Sequence, residues 1–145
     1  MKLKQISVPI ENSNHRLYEF ARALDEKGIT PRALTLVDTG DFGEARVLVS
    51  DTAAARQILM QKAIPARIDD VVAVQMEDTP GHLPDLLGRL MEAGIKIKYS
   101  YALGGKNLEK TTMVFCFNDN DKAIKTLMIQ TDEDCSYEKP EACGA

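Results

Sequence analysis

Residues 72–95 read VAVQMEDTPGHLPDLLGRLMEAGI, and the same plan stands 66 positions earlier in ISVPIENSNHRLYEFARALDEKGI, residues 6–29. The superposition needs no gap. Ile6, Val8 and Ile10 fall on Val72, Val74 and Met76, and Glu11 falls on Glu77. Leu17, Phe20, Ala21 and Leu24 fall on Leu83, Leu86, Leu87 and Leu90, and Gly28-Ile29 falls on Gly94-Ile95. A shift of 68 places Asp51, Ala55 and Leu59 on Asp119, Ala123 and Leu127. The chain of 145 residues therefore resolves into one unit present twice, with domains at 1–69 and 70–145. A unit this small buries only on the order of 60% of its unfolded surface, so two units are expected to pack together, within one chain or between chains.

The order of elements inside the unit follows from periodicity. Ile6, Val8 and Ile10 alternate with polar or small residues, as on a strand with one buried face. Leu17, Phe20, Ala21 and Leu24 recur at helical spacing, and Gly28 suits the left-handed residue that ends a helix. Arg32–Asp38 and Ala45–Ser50 read as strands around the turn Thr39-Gly40-Asp41-Phe42-Gly43. Asp51 or Thr52 caps a helix running to about Lys62, Pro65 breaks it, and a short strand is expected near Ala66–Ile68. The second copy repeats this. Strand Val71–Met76 leads to helix His82–Ala93, and strands Ile97–Leu103 and Thr111–Phe117 flank a turn at Gly104-Gly105-Lys106-Asn107. Helix Asn120–Ile129 follows, then a weak strand near Ser136–Tyr137 and a frayed tail. Each copy is β-α-β-β-α-β. Right-handed crossovers fold that order into a ferredoxin-like unit of the α+β class, a four-stranded antiparallel sheet with both helices on one face. The opposite sheet face needs a cover. Pro9 sits inside the first strand without an N–H to donate, which predicts a bulge or an unpaired edge there.

Composition removes several classes of function. Hydrophobic residues make up 44% and charged residues 28% of the chain, as in ordinary globular proteins. A net charge of −4 gives no electrostatic reason to bind nucleic acid or an anionic membrane. No stretch approaches the roughly 18 apolar residues that span a bilayer, and Met1-Lys2-Leu3-Lys4-Gln5 does not begin a signal peptide. Cys116, Cys135 and Cys143 form no paired spacing, so a reduced, cytoplasmic protein is expected.

Catalytic and cofactor chemistry is equally hard to place. His15 and His82 are the two histidines; neither belongs to a metal-spaced cluster, and no nucleophile is matched with a base. No metal, no cofactor and no catalytic residue is expected. Asp41-Phe42-Gly43 lacks the other kinase elements and lies in a hairpin. Gly104-Gly105-Lys106 precedes a strand rather than a helix, unlike a phosphate loop. Asp119, Asp121, Asp132, Glu133 and Asp134 read as helix caps and a solvated face rather than a cation site. The strands Met113–Phe117 and Arg46–Val49 lack the lysine-glycine-aromatic signature of RNA-binding domains that share this outline. Metal chaperones of the same outline need a cysteine pair in the first loop, which here reads Asn12-Ser13-Asn14-His15.

The strand-to-helix loops remain: Glu11–Leu17 in the first copy and Glu77–Leu83 in the second. A helix start offers unpaired N–H groups and the positive end of a dipole, which suit a small carboxylate. Gly81 permits close backbone approach, Pro84 is tolerated only in the first helical turn, and Asp78 would balance an ammonium group. Carboxylate and ammonium together describe an amino acid. The plainer alternative is that Thr79, Pro80 and Gly81 turn the chain and cap the helix.

Asp78-Thr79-Pro80-Gly81-His82-Leu83, followed by Leu86, Leu87, Leu90 and Ala93-Gly94-Ile95, resembles the opening of ACT domains, small regulatory modules that bind amino acids. Ala33–Gly43 is similar to the second-strand segment of a stand-alone family with two ACT domains in tandem. The resemblance covers nearly the whole chain. It implies a non-enzymatic regulatory protein that senses a small amino acid at an ACT–ACT interface. ACT domains pair side by side and hold ligands between the first loop of one domain and strand residues of another. By position, Asp78, Thr79, Pro80, Gly81, His82 and Leu83 would line one site, and Asn12, Ser13, Asn14, His15, Arg16 and Leu17 the other. The first copy departs from the pattern: Asn14 and His15 replace Pro80 and Gly81, so the second copy is expected to hold the intact site. Alternatively, His15 and Arg16 supply cationic contacts to a carboxylate. The expected partners are a small-molecule amino acid and a second copy of the chain, with no nucleic acid and no membrane. A regulatory subunit docking onto an amino-acid biosynthetic enzyme is the alternative.

Overall fold

A computed structural model describes residues 1–10, 14–77, 79–103 and 110–129. The expected turn at 104–107 and strand at 136–137 lie outside the described residues. The elements are β1 (Lys2–Pro9), α1 (Asn14–Glu26), β2 (Pro31–Asp38), β3 (Gly43–Val49), α2 (Thr52–Gln61), β4 (Arg67–Glu77), α3 (His82–Glu92), β5 (Ile97–Leu103), β6 (Lys110–Phe117) and α4 (Asn120–Ile129). This is the α+β order read from the repeat, with antiparallel strands in both copies.

Two compact units result. Among the described residues, the first spans Lys4–Asp69, and the second joins Met1–Leu3 to those from Asp70 to Ile129. In the first, β3 pairs with both β1 and β2. Alternate strand residues Ile6, Val8, Ala45, Val47 and Val49 meet Phe20, Ala23 and Leu24 of α1 and Ala55, Ile58 and Leu59 of α2. Both helices thus cover one sheet face, as the spacing requires. The second unit repeats the arrangement. There β6 pairs with β4 and β5, and Val72, Val74, Met76, Phe115 and Phe117 pack on Leu86, Leu90, Ala123 and Leu127. Burying each large side chain stabilises by about 1.5–3 kcal/mol, so these two clusters supply most of the driving force.

The repeat extends to details. Asp51 Oδ1 accepts from Ala54 N–H at 3.1 Å, and Asp119 Oδ1 accepts from Lys122 N–H at 3.0 Å, the same cap in each copy. Gly28 and Gly94 take φ values of 67° and 70°, and each lets the following isoleucine N–H reach back five residues to a helical carbonyl. β2 and β5 both slip register at their second residue, between Pro31 and Ala33 and between Ile97 and Tyr99.

Two expectations need correction. Pro9 causes no bulge: the β1–β3 register runs unbroken through Pro9 opposite Glu44. The next residue, Ile10, donates to Gly43 O at 2.8 Å. Bonded and non-bonded pairs alternate in an antiparallel ladder, so Pro9 occupies a place where no N–H toward β3 is needed. Second, the strands expected at 66–68 and 71–76 are one strand of 11 residues, β4, because nothing between Ile68 and Val71 turns the chain. Its first three residues belong to the first unit, where Asp69 Oδ2 accepts from Ser7 Oγ at 2.7 Å. Conversely, Met1–Leu3 serve the second unit, where Ala73 N–H donates to Met1 O at 2.8 Å and Lys2 meets Asp121 at 2.9 Å.

Candidate functional site

The second strand-to-helix loop is shaped by one residue. Gly81 takes φ 101° and ψ −23°, a conformation that L side chains rarely adopt, and immediately precedes α3. It supplies no side-chain cap to the helix. Pro84 has no N–H to satisfy, so it fits the first turn. Thr79, Pro80, Gly81 and Leu83 are exposed and His82 is half-buried. His82 Nε2 lies 3.7 Å from Glu77 Oε2 at the end of β4, and Glu77 stands opposite Lys110 on β6. The loop therefore joins a helix N-terminus, exposed backbone and a carboxylate within the span of a few residues. Asp78 lies outside the described residues.

The first loop is built differently. His15 occupies the place of Gly81 and lies inside α1, which already begins at Asn14, whereas α3 begins at the counterpart of Arg16. A non-glycine residue there is accommodated by starting the helix earlier rather than by a left-handed turn. His15 Nε2 meets Glu19 at 3.1 Å across one helical turn. Arg16 and Leu17 are half-buried; Asn12 and Ser13 lie outside the described residues, as does the side chain of Asn14. Within each loop the structure brings neighbouring candidates together.

Gly43, quoted from the Asp-Phe-Gly turn, has a mechanical reason at this place. A Cβ on Gly43 would collide with the carbonyl oxygen of Ile10, the last described residue before the first loop. The turn itself is closed by Thr39 N–H to Phe42 O at 2.8 Å and Gly40 N–H to Asp38 Oδ1 at 2.9 Å.

Two features escaped the sequence reading. One is a polar network at the same end of the first unit. Glu44, 3% exposed, accepts from Arg46 Nε at 2.8 Å and from Arg67 Nη2 at 2.9 Å. Arg67 also grips Asp69, which accepts from Ser7, and Ser7 Oγ accepts from the buried Gln5. Burial raises the Asp69 carboxyl, but the hydrogen bonds from Arg67 and Ser7 and the guanidinium charges outweigh it and hold the group below its ordinary value. The other is an apolar groove of about 340 Å³ between α1 and β2, lined by Leu17, Tyr18, Ala21, Pro31, Leu34 and Val47 among others. Its signal was present: Ala21 and Leu34 are positions at which the copies differ, with Leu87 and Ser100 as counterparts. Among the described residues no group of histidine, cysteine and carboxylate side chains is placed to hold a metal ion, and no helix is long and apolar enough to cross a membrane.

A family model described as an ACT domain pair matches residues 1–140. Among solved structures, a protein of Bacteroides thetaiotaomicron is 32% identical, with 90% of each chain covered and a TM-score of 0.83. The regulatory subunit of aspartate kinase from Thermus thermophilus, in its ligand-free form, is 14% identical over 87% of this chain and 90% of its own, with a TM-score of 0.58. Aspartokinase III of E. coli, in complex with lysine and aspartate, is 15% identical; 91% of this chain covers 31% of it, with a TM-score of 0.52. These two share the fold. A search of curated proteins finds no match.

Proposed function

The chain belongs to the ACT domain pair family, and from that premise we propose that it is a non-enzymatic regulatory protein that binds a small amino acid at the strand-to-helix loop of its second ACT domain. The observation that carries the reading is Gly81: an exposed left-handed glycine that opens the start of α3 to a ligand without a side-chain cap in the way. The ligand's carboxylate takes the first-turn N–H groups, favoured by the positive end of the helix. Its ammonium faces Glu77, with Thr79, Pro80, His82 and Leu83 around it, and Asp78 is the further carboxylate that the sequence offers. The first loop, residues 12–17, offers a variant of the same site with His15 and Arg16 in place of open backbone.

A second copy of the chain completes the regulatory unit. β2 pairs with β3 on one side, and its Leu34 and Leu36 are 50% and 46% exposed, an apolar edge that suits strand pairing between copies. Ligand binding then shifts association or domain placement by its differential affinity for the two states, typically about 1–3 kcal/mol of coupling. The alternative, a subunit that docks onto an amino-acid biosynthetic enzyme, draws support from one comparison: the Thermus chain is itself a regulatory subunit of aspartate kinase, and this chain covers 90% of it.

Isothermal titration of the full chain with small amino acids at millimolar concentration tests the proposal. Saturable binding that Gly81→Val removes is the expected result. Absence of saturable heat with all of them, or binding untouched by Gly81→Val, overturns the second-loop site.

A further inference from the structure

The two copies differ between their helices in a matched way. In the first, Ala23 of α1 and Ile64, three residues past α2, line one cavity of about 460 Å³. Ile64 packs on the core there, and Lys62 reaches Glu26 of α1 at 3.3 Å, so the chain leaving the second helix turns back across the first. The shifts of 66 and 68 that superpose the copies carry Ala23 to Arg89 and Ile64 to Asp132. An apolar couple in the first copy is thus a cation and an anion in the second. Asp132 stands three residues past α4, as Ile64 does past α2.

Arg89 is short of a partner. Its side chain is 19% exposed, and Nη2 holds Asp85 Oδ2 at 3.0 Å, one turn back along α3. Nη1 is buried and, among the described residues, has no hydrogen-bond partner. A buried guanidinium N–H without an acceptor is costly, and an arginine fork can serve two carboxylates, as Arg67 serves Glu44 and Asp69 in the first unit. Asp132 lies outside the described residues, and its place in the repeat and its charge match this need. We infer that the segment 130–134 straps across α3, with an Asp132 carboxylate oxygen accepting from Arg89 Nη1. Glu133 and Asp134 extend the acidic run, and the match with Ile64 selects Asp132. The run is then a docked element and not only a solvated face. His82, Asp85 and Arg89 share one face of α3 at i, i+3 and i+7, so the strap fastens the helix that follows the second strand-to-helix loop. This inference stands apart from the amino-acid reading.

Arg89→Met and Asp132→Asn, singly and together in the full chain, test the strap by thermal melts. Asp132→Asn is expected to lower the melting temperature by about 3 °C or more alone, and by under about 1 °C beside Arg89→Met, because contacting residues couple and distant ones add. Equal effects in the two backgrounds overturn the inference, as does stronger coupling of Arg89 to Glu133→Gln or Asp134→Asn. Limited digestion with a glutamate-specific protease reads local release rather than global stability. Cleavage after Glu133 is expected to be about fivefold or more faster in Arg89→Met, which frees the segment without altering the cleaved sequence. An unchanged rate overturns the strap. Arg89→Lys, which keeps the charge and loses the fork, replaces Arg89→Met in both readings if the latter does not fold. Sedimentation velocity addresses the other occupant. Self-association that changes in Arg89→Met while cleavage at Glu133 does not assigns Nη1 to a second copy of the chain, which also overturns the strap.

Discussion

Gly43 lies directly against the main chain of Ile10. The Ile10 N–H donates to Gly43 O at 2.8 Å, and any Cβ on Gly43 would run into the Ile10 carbonyl oxygen. The contact sets how closely β3 follows β1 just before the first loop. Gly43→Ala is therefore expected to force main-chain displacement and to destabilise the protein by about 1–3 kcal/mol, as overpacking does. Urea denaturation gives the number; an unchanged midpoint would show that the two strands part at no cost.

Ala63 ends α2 in the conformation that glycine provides elsewhere. Its φ is 54°, and Ile64 N–H reaches back to Leu59 O at 2.9 Å, as the isoleucines after Gly28 and Gly94 do in their helices. Ala63→Gly relieves about 1–2 kcal/mol of left-handed strain. It adds about 0.4–1 kcal/mol of unfolded-state entropy. The net expectation is stabilisation by about 0.5–1 kcal/mol, read as a rise in melting temperature of a few degrees. A fall would mean that the alanine makes compensating contacts.

Arg67 is exposed, yet it holds two carboxylates, Glu44 and Asp69. Arg67→Met leaves buried Glu44 paired with Arg46, and is expected to cost about 1–3 kcal/mol at neutral pH, below the range for fully buried pairs because Arg67 itself faces water. The pH dependence has a definite sign. The folded-state pKa of Asp69 is depressed, so its contribution is present above the ordinary carboxylate value of about 3.9 and is lost as pH falls below it toward the folded value. The stability difference between wild type and Arg67→Met should therefore shrink below about pH 4. A difference that is constant between pH 7 and pH 3 would contradict the account.

How far these relationships were legible in the sequence depends on what fixes them. The repeat reveals hydrophobic positions, helix stops and caps, because Ile6/Val72, Gly28/Gly94 and Asp51/Asp119 obey one local pattern twice. Strand ends were less legible. Pro9 reads as a breaker unless the ladder phase is known, and phase is set by the partner strand, β3. The start of β4 carries contacts to Ser7 and Glu44, distant in sequence, through Asp69 and Arg67, and no local pattern announces them. The groove beside Ala21 required knowing that α1 faces β2. The glycine of the second loop was legible as punctuation, while its left-handed angle, the property that the proposed site uses, came from the structure.

Gly81 has no heavy atom within 4 Å of where a Cβ would stand, so substitution there acts through the backbone rather than through packing. Gly81→Val is expected to cost about 1–2 kcal/mol, the price of a left-handed L residue, and to leave the chain folded. Circular dichroism and a thermal melt check this. Loss of the fold would mean that the loop is structural, and binding data on the variant would then need Gly81→Ala in its place.

The most direct measurement of the central claim is a thermal-shift titration of the full chain against the twenty amino acids at millimolar concentration. A ligand at about 100 times its dissociation constant stabilises by about 2.7 kcal/mol, which is several degrees for domains of this size. Such a shift is expected for a chemically coherent group of amino acids, lowered at the second loop by Gly81→Val. A melting temperature indifferent to all twenty would contradict it.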